Sequence, residues 1–346
     1  MSHLHAAISQ VWPPFVLVTA LLAIGQLAGA DGLFEAAASR LVRLPGPPVA
    51  LLGACLALVM LVTAFLNLDT SAVFLTPVLI GVARRRRIEP APFLYGSVFM
   101  ANASSLFLPG SNLTNLLVLD GGRGGGSFFT RMLAPALVAP LVTAAGLILI
   151  HRRRLGEGAE QPQDALAPVR VGAGLLGAGA AAVLMVLLAN PAPSVLAVAV
   201  VLAGWRAARE RRLGSALAAL GLPALIGLFL LSVALGFAAR AGALPADLLH
   251  GVGAPATAAV AALASVAVNN LPAAVLLSSH GTAHAQALLL GLNLGPNLAV
   301  TGSLAVLLWW RAARADGLRP SALEYSRQGI ILAPLAILAA LLLGTG

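Results

Sequence analysis

Apolar runs long enough to cross a bilayer recur along the whole chain, and polar residues interrupt only some of them. A helix needs roughly 20 residues to traverse a hydrocarbon core of about 30 Å. The runs at 12–30, 132–150, 172–190, 222–240 and 325–344 meet that length, and a shorter one at 191–205 starts beside a proline and ends at Trp205. Two segments are broken by helix-disrupting residues: 92–119 at Leu108-Pro109-Gly110, and 285–310 around Leu294-Gly295-Pro296. Two more, 48–83 and 252–282, carry a polar break near the middle, Asn67-Leu68-Asp69-Thr70 and Asn269-Asn270-Leu271-Pro272. Residues 32–44 read as an amphipathic helix lying at the interface, and 121–126 (GGRGGG) as an outer loop.

The runs at 48–83 and 252–282 each admit three readings: one long broken crossing, two spans, or a re-entrant hairpin. Arginine placement tests the first. If both segments return to the side they entered, the clusters at 40–43, 84–87, 152–170, 206–212 and 311–327 share one face, which then holds 18 of the 21 arginines. Only Arg123, Arg131 and Arg240 lie opposite. That asymmetry favours returning segments and puts the Arg-rich face in the cytoplasm, with both termini outside. Length separates spans from hairpins: the second arms, 71–83 and 273–281, are 13 and 9 residues long, too short at about 1.5 Å per residue.

A repeat follows. Residues 12–150 read as span, hairpin, broken span, span, and so do 222–345. The first repeat makes three crossings and the connector two, so the second enters from the opposite side. The expected fold is an all-α polytopic membrane protein, one transport domain over 1–346. It consists of repeat one (12–150), a connector with two helices (151–213) and an inverted repeat two (214–346). Inverted repeats with discontinuous helices are typical of secondary transporters, whose site lies near the midplane.

Composition agrees: the chain is 59% hydrophobic and 10% charged, with mean hydropathy +0.94, more apolar surface than a soluble domain of this size hides. The net charge of +9 comes wholly from Arg in loop clusters without interleaved aromatics, which argues against nucleic acid as a partner. The segment MSHLHAAISQ lacks the positive n-region of a signal peptide. One cysteine, Cys55, excludes an internal disulfide and a multi-cysteine metal site. HExxH, CxxC and GxxxxGK[ST] are absent, and Asp69 has no second buried acid for an aspartyl-protease pair. These features point away from an enzyme and from any cofactor or resident metal.

The four breaks collect nearly all the polar groups expected at depth. Tip one supplies Asn67, Asp69, Thr70 and Ser71; broken helix one supplies Asn102, Ser104, Ser105, Gly110, Ser111, Asn112, Thr114 and Asn115. Tip two supplies Asn269, Asn270 and Pro272; broken helix two supplies Asn293, Gly295, Pro296, Asn297, Thr301, Gly302 and Ser303. Half-helix N-termini present N–H groups to an anion, and unwound carbonyls hold a cation. Asp69 is the sharpest feature, since an intramembrane carboxyl is by default a functional hypothesis. It reads as a candidate for proton coupling, or as an N-cap of the second hairpin arm; the two roles can coexist.

At these breaks the chain resembles the bacterial arsenite permease family of the ion transporter superfamily, which also holds divalent-anion/sodium symporters. The resemblance rests on FLNLDTSAVFLTPVLIGVARRRR, VFMANASSLFLPGSNLTNLLVL, SVAVNNLPAAVLL and GLNLGPNLAVTGSLAVLLWWR, in that order. It implies extrusion of arsenite or antimonite, as the neutral hydroxide, coupled to protons across the inner membrane, with a cytoplasmic ATPase partner in some members. The alternative within the superfamily is a sodium- or proton-coupled permease for a dicarboxylate or other small anion, working as a homodimer. A channel is the reading from a different class. The family pattern often carries acidic or basic residues where Asn102, Asn293 and Asn297 stand here, which leaves Asp69 as the one proton-coupling candidate.

Overall fold

A computed structural model describes residues 3–118, 125–156, 172–210, 222–242, 249–279 and 283–344. Most of the expected glycine loop (121–124), Arg170 and His280 lie outside these residues. Every regular element among the described residues is helical. The described residues begin with α1 (His3–Ala30) and the short helix α2 (Leu33–Val42). The first hairpin follows, with α3 (Pro48–Phe65) as one arm and α4 (Leu68–Thr70), a π-helical stretch (Ser71–Leu75) and α5 (Thr76–Arg85) as the other. Next come α6 (Ala91–Ala103), a 3-10 turn at Pro109–Ser111 and α7 (Leu113–Val118), then α8 (Gly125–Leu155). Two connector helices, α9 (Ala173–Leu187) and α10 (Ala192–Glu210), lead to the second half.

That half repeats the order. It runs α11 (Leu222–Arg240), hairpin α12 (Ala254–Val268) and α13 (Asn270–Ser278), then α14 (Ala285–Leu294), a 3-10 turn (Gly295–Leu298) and α15 (Leu304–Ala315), and ends on α16 (Ala322–Gly344). Among the described residues four stretches, His3–Ala30, Pro48–Phe65, Ser127–Leu155 and Ala322–Leu343, are long and apolar enough to span a membrane. Large apolar side chains such as Leu141, Val200, Ile330 and Leu342 stay exposed, as a lipid-facing surface requires.

Several boundaries differ from the sequence expectation: α10 runs on to Glu210, α13 starts at Asn270 rather than 273, and α16 starts at Ala322 rather than 325. Helix α1 starts at His3 rather than 12, because Ala7 and Val11 are fully buried; its first turns have a packing partner despite Pro13 and Pro14. Helix α8 starts at Gly125 rather than 132. The return arm of the first hairpin starts at Leu68, not 71, because the Asn67 Oδ1 accepts from Thr70 N at 2.7 Å and closes the helix start.

Both ends of the first hairpin return to one place. Arg86, wholly buried, donates to the carbonyls of Val42 (3.0 Å) and Leu44 (2.8 Å), tying the end of the return arm to the loop that leads into α3. Ion pairs fix arginines of two of the clusters: Arg84 with Asp316 (2.8 Å), Arg85 with Glu35 (2.9 Å) and Arg154 with Glu324 (2.6 Å). Arg206 pairs with Asp31 at 2.7 Å, and Asp31 also accepts from Gly174 N at 2.7 Å, so one carboxylate fastens both connector helices to α1. The three pairs on Arg84, Arg85 and Arg154 are partly exposed and set register more than stability, whereas the pair of Arg206 with Asp31 is largely buried.

The second half is closed by small residues. Gly291 of α14 and Gly295 at the start of the 3-10 turn lie on α12 so closely that a Cβ at Gly291 would overlap the Ala258 carbonyl oxygen, and one at Gly295 would sit 2.5 Å from Ala262 Cα. Glycine four apart against alanine four apart lets two backbones touch, the usual way for helices to associate where lipid removes the hydrophobic drive. Gly329 of α16 meets the Asn297 carbonyl in the same manner, leaving no room there for a Cβ.

Candidate functional site at the helix breaks

The two broken helices lock together through side-chain amides. Asn102, at the end of α6, donates Nδ2–H to Asn297 Oδ1 at 2.9 Å, and Asn297 donates back to the Phe99 carbonyl at 3.3 Å. Asn293 lies one helical turn earlier and is the hub. Its Oδ1 accepts from Asn112 Nδ2 (2.7 Å) and from Ser105 Oγ, and its Nδ2 donates to Asn115 Oδ1 (3.1 Å) and to the Leu289 carbonyl (2.8 Å). Asn115 Nδ2 donates to the carbonyls of Ser105 (2.8 Å) and Leu108 (3.1 Å), which the break in the helix has freed. All six side chains are fully or almost fully buried. A buried amide must be paired, so each break supplies what the other needs.

Each hairpin tip is pinned to the break of its own half. Ser111 Oγ donates to the Ala64 carbonyl at 3.1 Å, beside tip one. In the second half Thr301 Oγ1 donates to Val266 O at 2.9 Å, Asn270 N to Gly302 O at 2.9 Å, and Asn269 Nδ2 to Thr301 O at 3.4 Å. The return arms then pack across: α13 lies on α7, and the π-helical stretch and α4 lie on α15. All four elements beyond the breaks begin with a polar cap, Asn67 for α4, Asn112 for α7, Asn269 for α13 and Ser303 for α15. Those four helix starts carry the partial positive ends of the half-helices.

Asp69 sits in the first turn of α4 and is 2% exposed. Its carboxyl makes no hydrogen bond or ion pair among the described residues, and the capping expected of it falls to Asn67. Thr70 packs its methyl against α1, where a Cβ on Gly25 would lie 2.5 Å from Thr70 Cγ2. Ser71 accepts from Thr63 Oγ1 at 2.8 Å. Several buried polar atoms in these elements lack a partner among the described residues: Asn67 Nδ2, Thr70 Oγ1, Asn102 Oδ1, Ser104 Oγ and Thr114 Oγ1. Unpaired buried polar atoms in a native fold are where water, an ion or a solute is expected.

Gly110, Gly295 and Gly302 let chains approach closely. A Cβ on Gly110 would overlap Met185 of α9, and one on Gly302 would overlap Pro296 Cα. Sequence reasoning missed Thr63, Thr76, Ser97 and Tyr325. Thr76 Oγ1 donates to Ala72 O (2.7 Å) inside the irregular arm and meets Ser97 Oγ at 3.2 Å, and Tyr325 OH donates to the Pro296 carbonyl at 2.9 Å. None of the four stood out in the sequence: Tyr325, for example, lies among Glu324, Ser326, Arg327 and Gln328.

Helices that break at depth, face each other across two similar halves and fill the gap with amides and helix starts define a multi-pass membrane transport protein. The family model described as "Citrate transporter" matches residues 4–306, and the chain belongs to that family. The arsenite permease resemblance thus holds at the level of a transporter family, not at that of substrate. In fold the chain is similar to the Alcanivorax borkumensis YdaH transporter, whose crystal structure superposes with a TM-score of 0.60 at 14% identity, over 99% of this chain and 86% of that one.

Proposed function

We propose that this protein is an inner-membrane secondary carrier for a small carboxylate-type anion, with a site formed where the two hairpin tips meet the two helix breaks. The observation that supports it most is the set of four capped helix starts around a buried, fully neutral amide lock. Such starts favour negative charge without a permanent cation, so an anion can leave as easily as it enters. The family's description, a citrate transporter, points to the same substrate class. Asp69 is the one ionisable side chain among the proposed site residues, and we assign it the coupling role: it takes up a proton or holds a sodium ion while the substrate is bound. The two halves act as inverted repeats of one domain, the hairpins opening to opposite sides, with the Arg-rich face in the cytoplasm and a second copy completing a homodimer.

Proton-coupled arsenite or antimonite efflux is the second reading, favoured by one feature: apart from Asp69 every proposed site side chain is neutral, which suits a neutral trihydroxide. Purified protein in proteoliposomes, scanned with citrate, succinate, arsenite and antimonite under imposed proton and sodium gradients, decides between them. Saturable carboxylate counterflow driven by either gradient supports the carrier. Arsenite flux without carboxylate flux reverses the substrate order, and unitary currents would make the protein a channel.

A further inference from the structure

A cavity of about 460 Å³ lies between the Arg-bearing ends of α8 and α16, away from the helix breaks. Its wall has two characters. Ile150, Leu323 and Ile331 form an apolar side that runs into the exposed apolar face of α16, where Ile330 and Leu335 also lie uncovered. His151, Arg154, Arg327 and Gln328 form the polar side.

The polar groups are not all used internally. Arg154 is neutralised by Glu324, another wall residue, at 2.6 Å and approaches Glu89 at 3.6 Å. Arg327, by contrast, is exposed and makes no ion pair or hydrogen bond among the described residues. Gln328 offers its Oε1 to His151 Nε2 at 3.2 Å, which leaves its NH2 group without a partner among the described residues. His151 is 1% exposed, its ring lies parallel to Tyr95, and its Nδ1 has no partner there either. Because Nε2 faces a carbonyl oxygen it must carry the hydrogen, so in the neutral ring Nδ1 is an acceptor.

A free guanidinium and a free amide donor above an apolar wall at the membrane boundary match one chemistry: a phosphodiester that carries acyl chains. We propose that this cavity binds an anionic glycerophospholipid of the phosphatidylglycerol class from the leaflet that meets the Arg-rich face. The phosphate lies against Arg327 and the free amide of Gln328, and the acyl chains follow α16. Basic pockets between transmembrane helices hold such headgroups by charge and hydrogen bonding together.

The test is delipidated full-length protein in a neutral detergent, titrated with phosphatidylglycerol, phosphatidylcholine or inorganic phosphate and read by native mass spectrometry and thermal unfolding. Phosphatidylglycerol should stay bound and raise Tm, with at least tenfold preference over phosphatidylcholine, and phosphate should do neither. Arg327→Gln, a change at an exposed position that leaves folding intact, should remove that preference, while Arg311→Gln, on the same face but outside the cavity, should keep it. Equal retention of both lipids, an equal Tm shift from inorganic phosphate, or an unchanged preference in Arg327→Gln would each overturn the proposal.

Discussion

At the scale of the residue, the amides at the breaks divide into a lock and an open set. Asn293 makes four hydrogen bonds to groups on both broken helices. Asn293→Leu strands several buried partners at about 1–3 kcal/mol for each unsatisfied group. We expect a large loss of thermal stability in detergent, greater than for Asn67→Ala, which removes only one cap worth about 1 kcal/mol. Asp69 belongs to the open set. Asp69→Asn keeps the shape of tip one, where Asn67 does the capping, but removes the only titratable group among the site residues. Transport in proteoliposomes should lose its dependence on the proton gradient while exchange of substrate for substrate persists; unchanged coupling would leave Asp69 without a role. Asn269 holds a backbone φ of 77° and ψ of 147°, a region L-residues avoid at about 1–3 kcal/mol. Asn269→Gly should therefore fold at least as well as Asn269→Val, by a margin visible in Tm. The residue types were legible in the sequence, because polar groups at bilayer depth are few. Their partners were not, since Asn102 and Asn297 meet across 195 positions of chain.

At the scale of the element, helix breaks and their caps were readable from Pro, Gly and Asn, and most spans appear where periodic apolar length put them. Local strain was not readable. The π-helical stretch Ser71–Leu75 follows Asp69 closely, and Thr76 Oγ1 bonds back to Ala72 O. An extra residue in a helical turn frees backbone groups, and such turns are frequent at functional sites. Close contact is the other element-level device. Gly291→Ala would push a methyl into the Ala258 carbonyl, whereas a methyl on Gly53 of α3 meets nothing within 4 Å. Overpacking costs about 1–3 kcal/mol, so Gly291→Ala should lower Tm and Gly53→Ala should not. Equal behaviour of the two variants would mean that α12 and α14 are not held at contact distance.

At the scale of the whole molecule, ion pairs hold Arg84 and Arg85 of α5 against Asp316 and Glu35, and Arg154 of α8 against Glu324 of α16. In a variant with Cys55 replaced by Ala, single cysteines at Arg43 or Arg311 should label from the cytoplasm and one at Ala283 from outside; the reverse pattern would invert the proposed orientation. What the sequence alone determined is what hydrophobicity and backbone chemistry decide locally: membrane residence, the order of helices, and the places where they break. These follow because lipid forces every backbone group to be satisfied within a helix or at a shielded break. What only the tertiary structure decided is which break answers which. Asn293 bridges to Asn112 and Asn115, Asn67 displaces Asp69 from the cap, and Arg86 turns inward to close a loop. A side-chain amide or guanidinium reaches only about 3 Å to its partner, and such distances exist only once the distant halves are packed.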